Sequence, residues 1–113
     1  MAVIVHGGPQ SAVTDAWNYR WNPQLFSAAG FVTLCVNFHA SPGFGAKFRE
    51  AVSKDWSGAA FEDIIAATEN ACQQLPYVDR NRVGAAGASF GGYMMNVRET
   101  NASRFDVQLQ SDF

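Results

Sequence analysis

Cysteine is scarce in this chain. Cys35 and Cys72 are the only two, too few for the disulfide framework that staples a small secreted domain. One lies in a strand-like run and the other on a helical stripe, so both read as small core residues. No apolar stretch approaches the ~20 residues that a membrane-spanning helix needs. Charge of either sign is also thin, with 8 Lys and Arg against 10 Asp and Glu, a net charge of −2 and a pI near 5.5. That balance gives no reason to expect nucleic acid or an anionic membrane surface as partner. Internal repeats, linkers and low-complexity segments are missing. The opening Met1-Ala2-Val3-Ile4-Val5 runs at once into a glycine turn, so no signal peptide is expected. Histidine is limited to His6 and His39, both in the first half of the chain.

What is present is a globular composition, 48% apolar, in 113 residues. That bounds the chain to one domain at most. Short apolar strands alternate with helices, the pattern of a parallel sheet in an α/β fold. Ala2 to Val5 reads as a strand ending in the turn His6-Gly7-Gly8-Pro9. Asn22 to Ala29 reads as a short helix, with Pro23 in its first turn and Gly30 just past its end. Phe31 to Asn37 is a β-branched and apolar run, a second buried strand. The Gly and Pro cluster from Ala40 to Gly45 is a loop. Phe61, Ile64, Ile65, Thr68, Ala71, Cys72 and Leu75 fall three or four apart along one helical face, which Pro76 ends. Glu62 and Asp63 sit in that helix's first turn, where its dipole favours negative charge. Arg82 to Ala86 makes a third strand.

That third strand leads into Gly87-Ala88-Ser89-Phe90-Gly91-Gly92-Tyr93, which contains Gly-x-Ser-x-Gly. With a strand before it and a helix after, the pattern predicts a nucleophile elbow, with Ser89 on a strained turn. Gly87 and Gly91 keep side chains out of a crowded bend. The Phe90 backbone N–H would then face an incoming carbonyl oxygen. A glycine-rich turn whose serine merely caps a helix is the plainer alternative. A phosphate-binding loop is excluded because no Gly-Lys-Ser/Thr follows, and Gly84, Gly87 and Gly91 lack the spacing of a dinucleotide fingerprint. The earlier His6-Gly7-Gly8-Pro9 turn supplies a second candidate donor, the Gly8 N–H. Two such donors act where negative charge develops in a tetrahedral intermediate, and removing one costs roughly a hundredfold or more in rate. An elbow serine also needs a general base, usually a histidine held by a carboxylate. In this fold the chain order is Ser, then Asp or Glu, then His. No histidine follows Ser89, and Glu99, Asp106 and Asp112 lie too close in sequence to come from later strands.

The motifs His6-Gly7-Gly8-Pro9-Gln10, Asn18-Tyr19-Arg20-Trp21-Asn22-Pro23-Gln24, Asn37-Phe38-His39, Gly43-Phe44-Gly45, Asp55-Trp56 and the elbow, in that order, resemble the catalytic domain of the prolyl oligopeptidase family. Within it the likeness is greatest to the secreted fungal dipeptidyl-peptidase branch. The resemblance implies a partial α/β-hydrolase fold, residues 1–96 forming the N-terminal part of a peptidase catalytic domain and 97–113 an unmatched tail. It implies a serine peptidase acting near peptide N-termini, with Ser89 as nucleophile and the Phe90 and Gly8 N–H groups as the oxyanion hole. It implies a peptide substrate and neither cofactor nor metal. Relatives carry an N-terminal β-propeller, which this sequence does not include. Ala40 and Pro42 stand in a loop that is richer in glycine elsewhere in the family. No family position for the catalytic Asp or His is matched, so the chain by itself is expected to be inactive. A likeness that stops in mid-helix is the mark of a truncated or misassembled gene product. Such a piece, with open sheet edges, is expected to be unstable or to associate through those edges. An interaction module without catalysis, and an esterase or lipase of the same fold, are the other readings. The Asn-Phe-His and Asp-Trp segments favour the peptidase.

Overall fold

The computed structural model describes residues 1–100, with 98–100 described by their backbone alone. Asp106 and Asp112 lie outside the described residues, as does the tail from residue 101 onward, in which Asn101-Ala102-Ser103 has the pattern of a glycosylation sequon. The elements in order are β1 (Ala2–Val5), α1 (Pro23–Ala28), β2 (Thr33–Cys35), α2 (Ala46–Glu50), α3 (Ala59–Gln74), β3 (Gly84–Gly87) and α4 (Phe90–Thr100). The strands form one parallel sheet in the order β2-β1-β3. A parallel sheet whose strands alternate with helices is the α/β class read from the sequence.

β1 is the central strand and its residues are the most buried, Val3 fully and Val5 nearly so. It pairs Ala2 with Thr33 through Ile4 with Cys35 on one side. On the other side it pairs Ala2 with Gly84 through Val5 with Gly87. Central position explains its apolar composition, since both faces and both edges are covered.

β2 is shorter than the run Phe31 to Asn37 predicted. As an edge strand it meets only the length β1 offers, and both of its flanks are engaged elsewhere. Phe31 is half exposed, and its N–H bonds back to Phe26 of the preceding helix. At the other end the Asn37 side chain clamps Val13, accepting from its N–H at 2.8 Å and donating to its carbonyl at 2.9 Å. β3 starts two residues later than Arg82 and reaches Gly87, because the amino terminus bonds the Arg82 carbonyl before the ladder begins.

α1 forms as its sequence dictates. Asn22 caps it by accepting from the Gln24 N–H at 2.9 Å, Pro23 opens it, and Gly30 leaves it at φ +90°. α3 packs Ala60, Ile64, Thr68 and Ala71 inward. Its buried Thr68 hydroxyl is satisfied by the Ile64 carbonyl, 2.7 Å away. Glu62 sits in its first turn as expected, but the Asp63 carboxylate is turned to His39 instead of the helix end. The single-turn helix α2 follows the Ala40–Gly45 loop and was not foreseen. Five residues are too few to display a period. Cys35 and Cys72 are both free and half-buried. Cys72 packs against the core, and burial raises the Cys35 thiol pKa. Among the described residues no helix is long and apolar enough to cross a membrane.

Candidate active site

The parallel pairing of β1 with β3 brings two turns to the same end of the sheet. β1 leaves through His6-Gly7-Gly8, and β3 leaves through Ala88-Ser89 into α4. Ser89 has φ +58°, a left-handed conformation that non-glycine residues seldom adopt. The bend is tight enough to exclude side chains around it. A Cβ on Gly87 would stand 2.7 Å from the Gly91 carbonyl carbon, and one on Gly91 would run into the Val5 carbonyl oxygen. Glycine at both positions is therefore a packing requirement, and α4 rests on the backbone of β1. The Gly91 N–H bonds to Ala88 at 3.0 Å and the Tyr93 N–H to Ser89 at 3.0 Å, which closes the first turn of α4.

Ser89 is exposed, and its hydroxyl bonds to no other described residue. Gly7 faces it across the gap. A Cβ on Gly7 would lie 3.4 Å from the Ser89 Cβ and 3.8 Å from its Oγ. Gly8, at φ +129°, takes a turn that only glycine adopts readily. Neither the Gly8 N–H nor the Phe90 N–H donates to another described residue. An exposed, strained serine thus faces a glycine turn, and both of these backbone donors are uncommitted among the described residues. Such an arrangement suits attack on a carbonyl carbon whose oxygen gains negative charge.

Neither histidine bonds to Ser89. His6 is half-buried, its Nδ1 2.9 Å from the Gly7 carbonyl and its Nε2 2.9 Å from the Ser41 hydroxyl. Burial lowers its pKa from 6.5, an effect the Gly7 carbonyl partly opposes. The His39 Nδ1 lies 2.6 Å from the Asp63 carboxylate, which also accepts the His39 backbone N–H at 2.7 Å. His39 stacks on Phe48 with ring centroids 4.0 Å apart.

Three aromatic residues beside the elbow escaped the sequence reading as site residues. Phe38 is fully buried between His6 and Phe90, with centroid distances of 4.2 and 5.7 Å. Trp56 and Tyr93 pack edge-on at 5.9 Å and leave much of their surface exposed. Trp56 also walls a cleft of about 460 Å³ that runs from Gly8, Pro9 and Gln10 to Arg49, Glu50 and Lys54. The Asn-Phe-His and Asp-Trp segments carried Phe38 and Trp56, and the elbow motif carried Tyr93, though nothing in their spacing showed where the rings would lie. Among the described residues, no group of His, Cys, Asp and Glu side chains could hold a metal ion.

Residues 17–112 match the prolyl oligopeptidase family. A probable dipeptidyl-peptidase 5 of Aspergillus terreus is 46% identical over 92 residues, which is 81% of this chain and 13% of that protein. A second, of Aspergillus clavatus, is 41% identical over 114 residues, covering 99% of this chain and 16% of that one. Both the family match and the second alignment run past Val97, where the recognisable motifs stop. Among solved structures, the acylaminoacyl peptidase of Pyrococcus horikoshii superposes with a TM-score of 0.82 at 33% identity, over 92% of this chain and 17% of its own. The chain thus spans about one seventh of the curated relatives it matches.

Proposed function

Since this chain belongs to the prolyl oligopeptidase family of serine peptidases, we propose that it carries the nucleophile and oxyanion half of a dipeptidyl-peptidase-like site. Ser89 is the nucleophile that forms the acyl-enzyme. The Phe90 and Gly8 N–H groups stabilise the oxyanion, while Gly87 and Gly91 hold the bend. The observation that carries the reading is the strained, exposed Ser89 facing the Gly7-Gly8 turn, with the Gly8 and Phe90 N–H groups donating to no other described residue. The substrate is a peptide cleaved near its N-terminus, a reading supported by the name of the fungal relatives, dipeptidyl-peptidase 5. As an extracellular function we propose only what the resemblance carries, a secreted parent enzyme.

The 113 residues alone do not turn over substrate, in this reading. A base is needed to take the serine proton, and neither histidine of the sequence bonds to Ser89. The oxyanion donors by themselves leave a weak residual effect. Treatment with a fluorophosphonate, followed by peptide mass mapping, tests this. The expected result is a slow adduct confined to Ser89 and lost in Ser89→Ala, with no release of p-nitroaniline from an alanyl-alanyl anilide. An adduct on another serine would overturn the nucleophile assignment, and steady turnover would overturn the inactivity.

A second reading rests on the sheet order. β2 and β3 each have one unpaired edge among the described residues, and an open edge is a template for another strand. Association through these edges, with a second copy or a longer relative, would make the chain an interaction module.

A further inference from the structure

The Gly7–Gly8 peptide group carries two opposed polar atoms, the Gly7 carbonyl oxygen and the Gly8 N–H. In a trans peptide they lie in one plane and point in opposite directions. Whatever holds the oxygen therefore aims the N–H. Here the holder is the imidazole of the preceding residue, His6 Nδ1, at 2.9 Å. A carbonyl can only accept, so Nδ1 carries the proton in this contact. The neutral ring then presents a lone pair at Nε2, and the Ser41 hydroxyl, fully buried, donates to it at 2.9 Å. The Ser41 N–H is itself fixed to the Phe38 carbonyl at 2.9 Å.

The ring is held in its plane as well as at its two nitrogens. His6 stacks on Phe38 with an interplanar angle of 14°, and Phe38 stacks in turn on Phe90. The residues on either side of the proposed oxyanion position are thus tied through one buried phenyl ring.

We propose that His6 is a positioning residue for the Gly8 donor, with Ser41 fixing its tautomer and Phe38 its plane. The proposal rests on the reading of Gly8 as an oxyanion donor. His6 transfers no proton in the reaction. Its imidazole holds the Gly7 carbonyl on the side away from the substrate, so that the Gly8 N–H meets the forming oxyanion without reorganising. Glycine at residue 7 fits the same arrangement, because a side chain there would crowd the Ala88 carbonyl at 3.1 Å.

Nitrogen-15 NMR of the histidine rings in the 113-residue chain tests the first half. The expected spectrum shows the His6 Nδ1–H tautomer, with Nε2 unprotonated and accepting, and Ser41→Ala shifts the Nε2 signal. A resting Nε2–H tautomer would overturn the proposal whatever Ser89 does. The second half compares His6→Asn, whose amide nitrogen mimics Nδ1, with His6→Gln, whose amide nitrogen mimics Nε2. Both lose the ring, so a purely structural role would affect them alike. The proposal expects His6→Asn to keep the rate of Ser89 phosphonylation within about threefold and His6→Gln to lose roughly a hundredfold, the scale of a lost oxyanion donor. Equal rates in two variants shown to be folded by circular dichroism would overturn it. Failure of the unsubstituted chain to react at Ser89 would instead strike at the nucleophile reading, and the tautomer measurement would still decide the role of His6.

Discussion

At the scale of single residues, backbone strain at Ser89 separates two properties that usually travel together. The left-handed φ of +58° costs a non-glycine residue about 1 kcal/mol or more. The side chain is exposed, so replacing it sacrifices no packing. Ser89→Gly is expected to unfold at higher denaturant than Ser89→Ala by about 0.5–1 kcal/mol, while both fail to react with a fluorophosphonate. Chemical melts of the pair would show this, and equal midpoints would mean that the turn is unstrained. The glycines give a second contrast. Gly91→Ala places a methyl against the Val5 carbonyl, whereas a methyl on Gly84 meets nothing within 4 Å. The first is expected to cost about 1–3 kcal/mol or more and the second to change stability by less than about 0.5 kcal/mol.

His6 sets a pH dependence with a definite sign. Its folded pKa lies below the ordinary 6.5 because burial disfavours the imidazolium. As pH falls, the unfolded chain takes up the proton first. The stability linked to His6 is therefore complete above about 6.5 and is lost as pH drops through the folded value. Thermal melts between pH 7.5 and 5 are expected to show a falling midpoint, and the fall should be shallower in His6→Gln.

At the scale of elements, what could be read from the sequence followed how local the cause was. α1 is written in consecutive residues, Asn22 capping, Pro23 opening and Gly30 closing, and it forms between those marks. Asn22→Ala is expected to destabilise the chain by about 1 kcal/mol, measurable in urea, through the lost Gln24 cap. The elbow was legible for the same reason, since a sharp bend needs glycines at fixed offsets from the serine. β2 was overestimated because its length is set by the four-residue strand beside it and by the Asn37 clamp on Val13, neither of which is local. The His6–Ser41 contact spans 35 residues and uses a hydroxyl that looks like any other in the sequence. Asp63 likewise carried a helix-end signal, and tertiary structure gave it to His39.

At the scale of the whole molecule, the three strands make a sheet with a well-covered centre and two bare sides. Thr33 sits on one of those sides, in β2. If edges drive association, Thr33→Lys should shift the sedimentation profile toward smaller species, because an edge lysine opposes pairing with another chain. An unchanged profile would remove the edges from the account. Several large apolar side chains lie away from the site and stand open, including Trp17, Tyr19, Trp21 and Leu25. They belong to the connection between β1 and α1 and, for Leu25, to α1 itself, and not to the sheet, so the substitution at Thr33 separates the two surfaces.

The ladder between β1 and β3 ends with Val5 opposite Gly87. Both chains therefore quit the sheet at one level, and the distance between their turns is gauged by residue count. One strand residue is worth about 3.3 Å. Deleting a single residue from either strand would slide one turn past the other by that amount, about the length of one hydrogen bond. Ser89 and Gly8 would both survive such a deletion in the sequence and no longer share a carbonyl. The motifs identify the parts, and the matched lengths of two four-residue strands keep them in step.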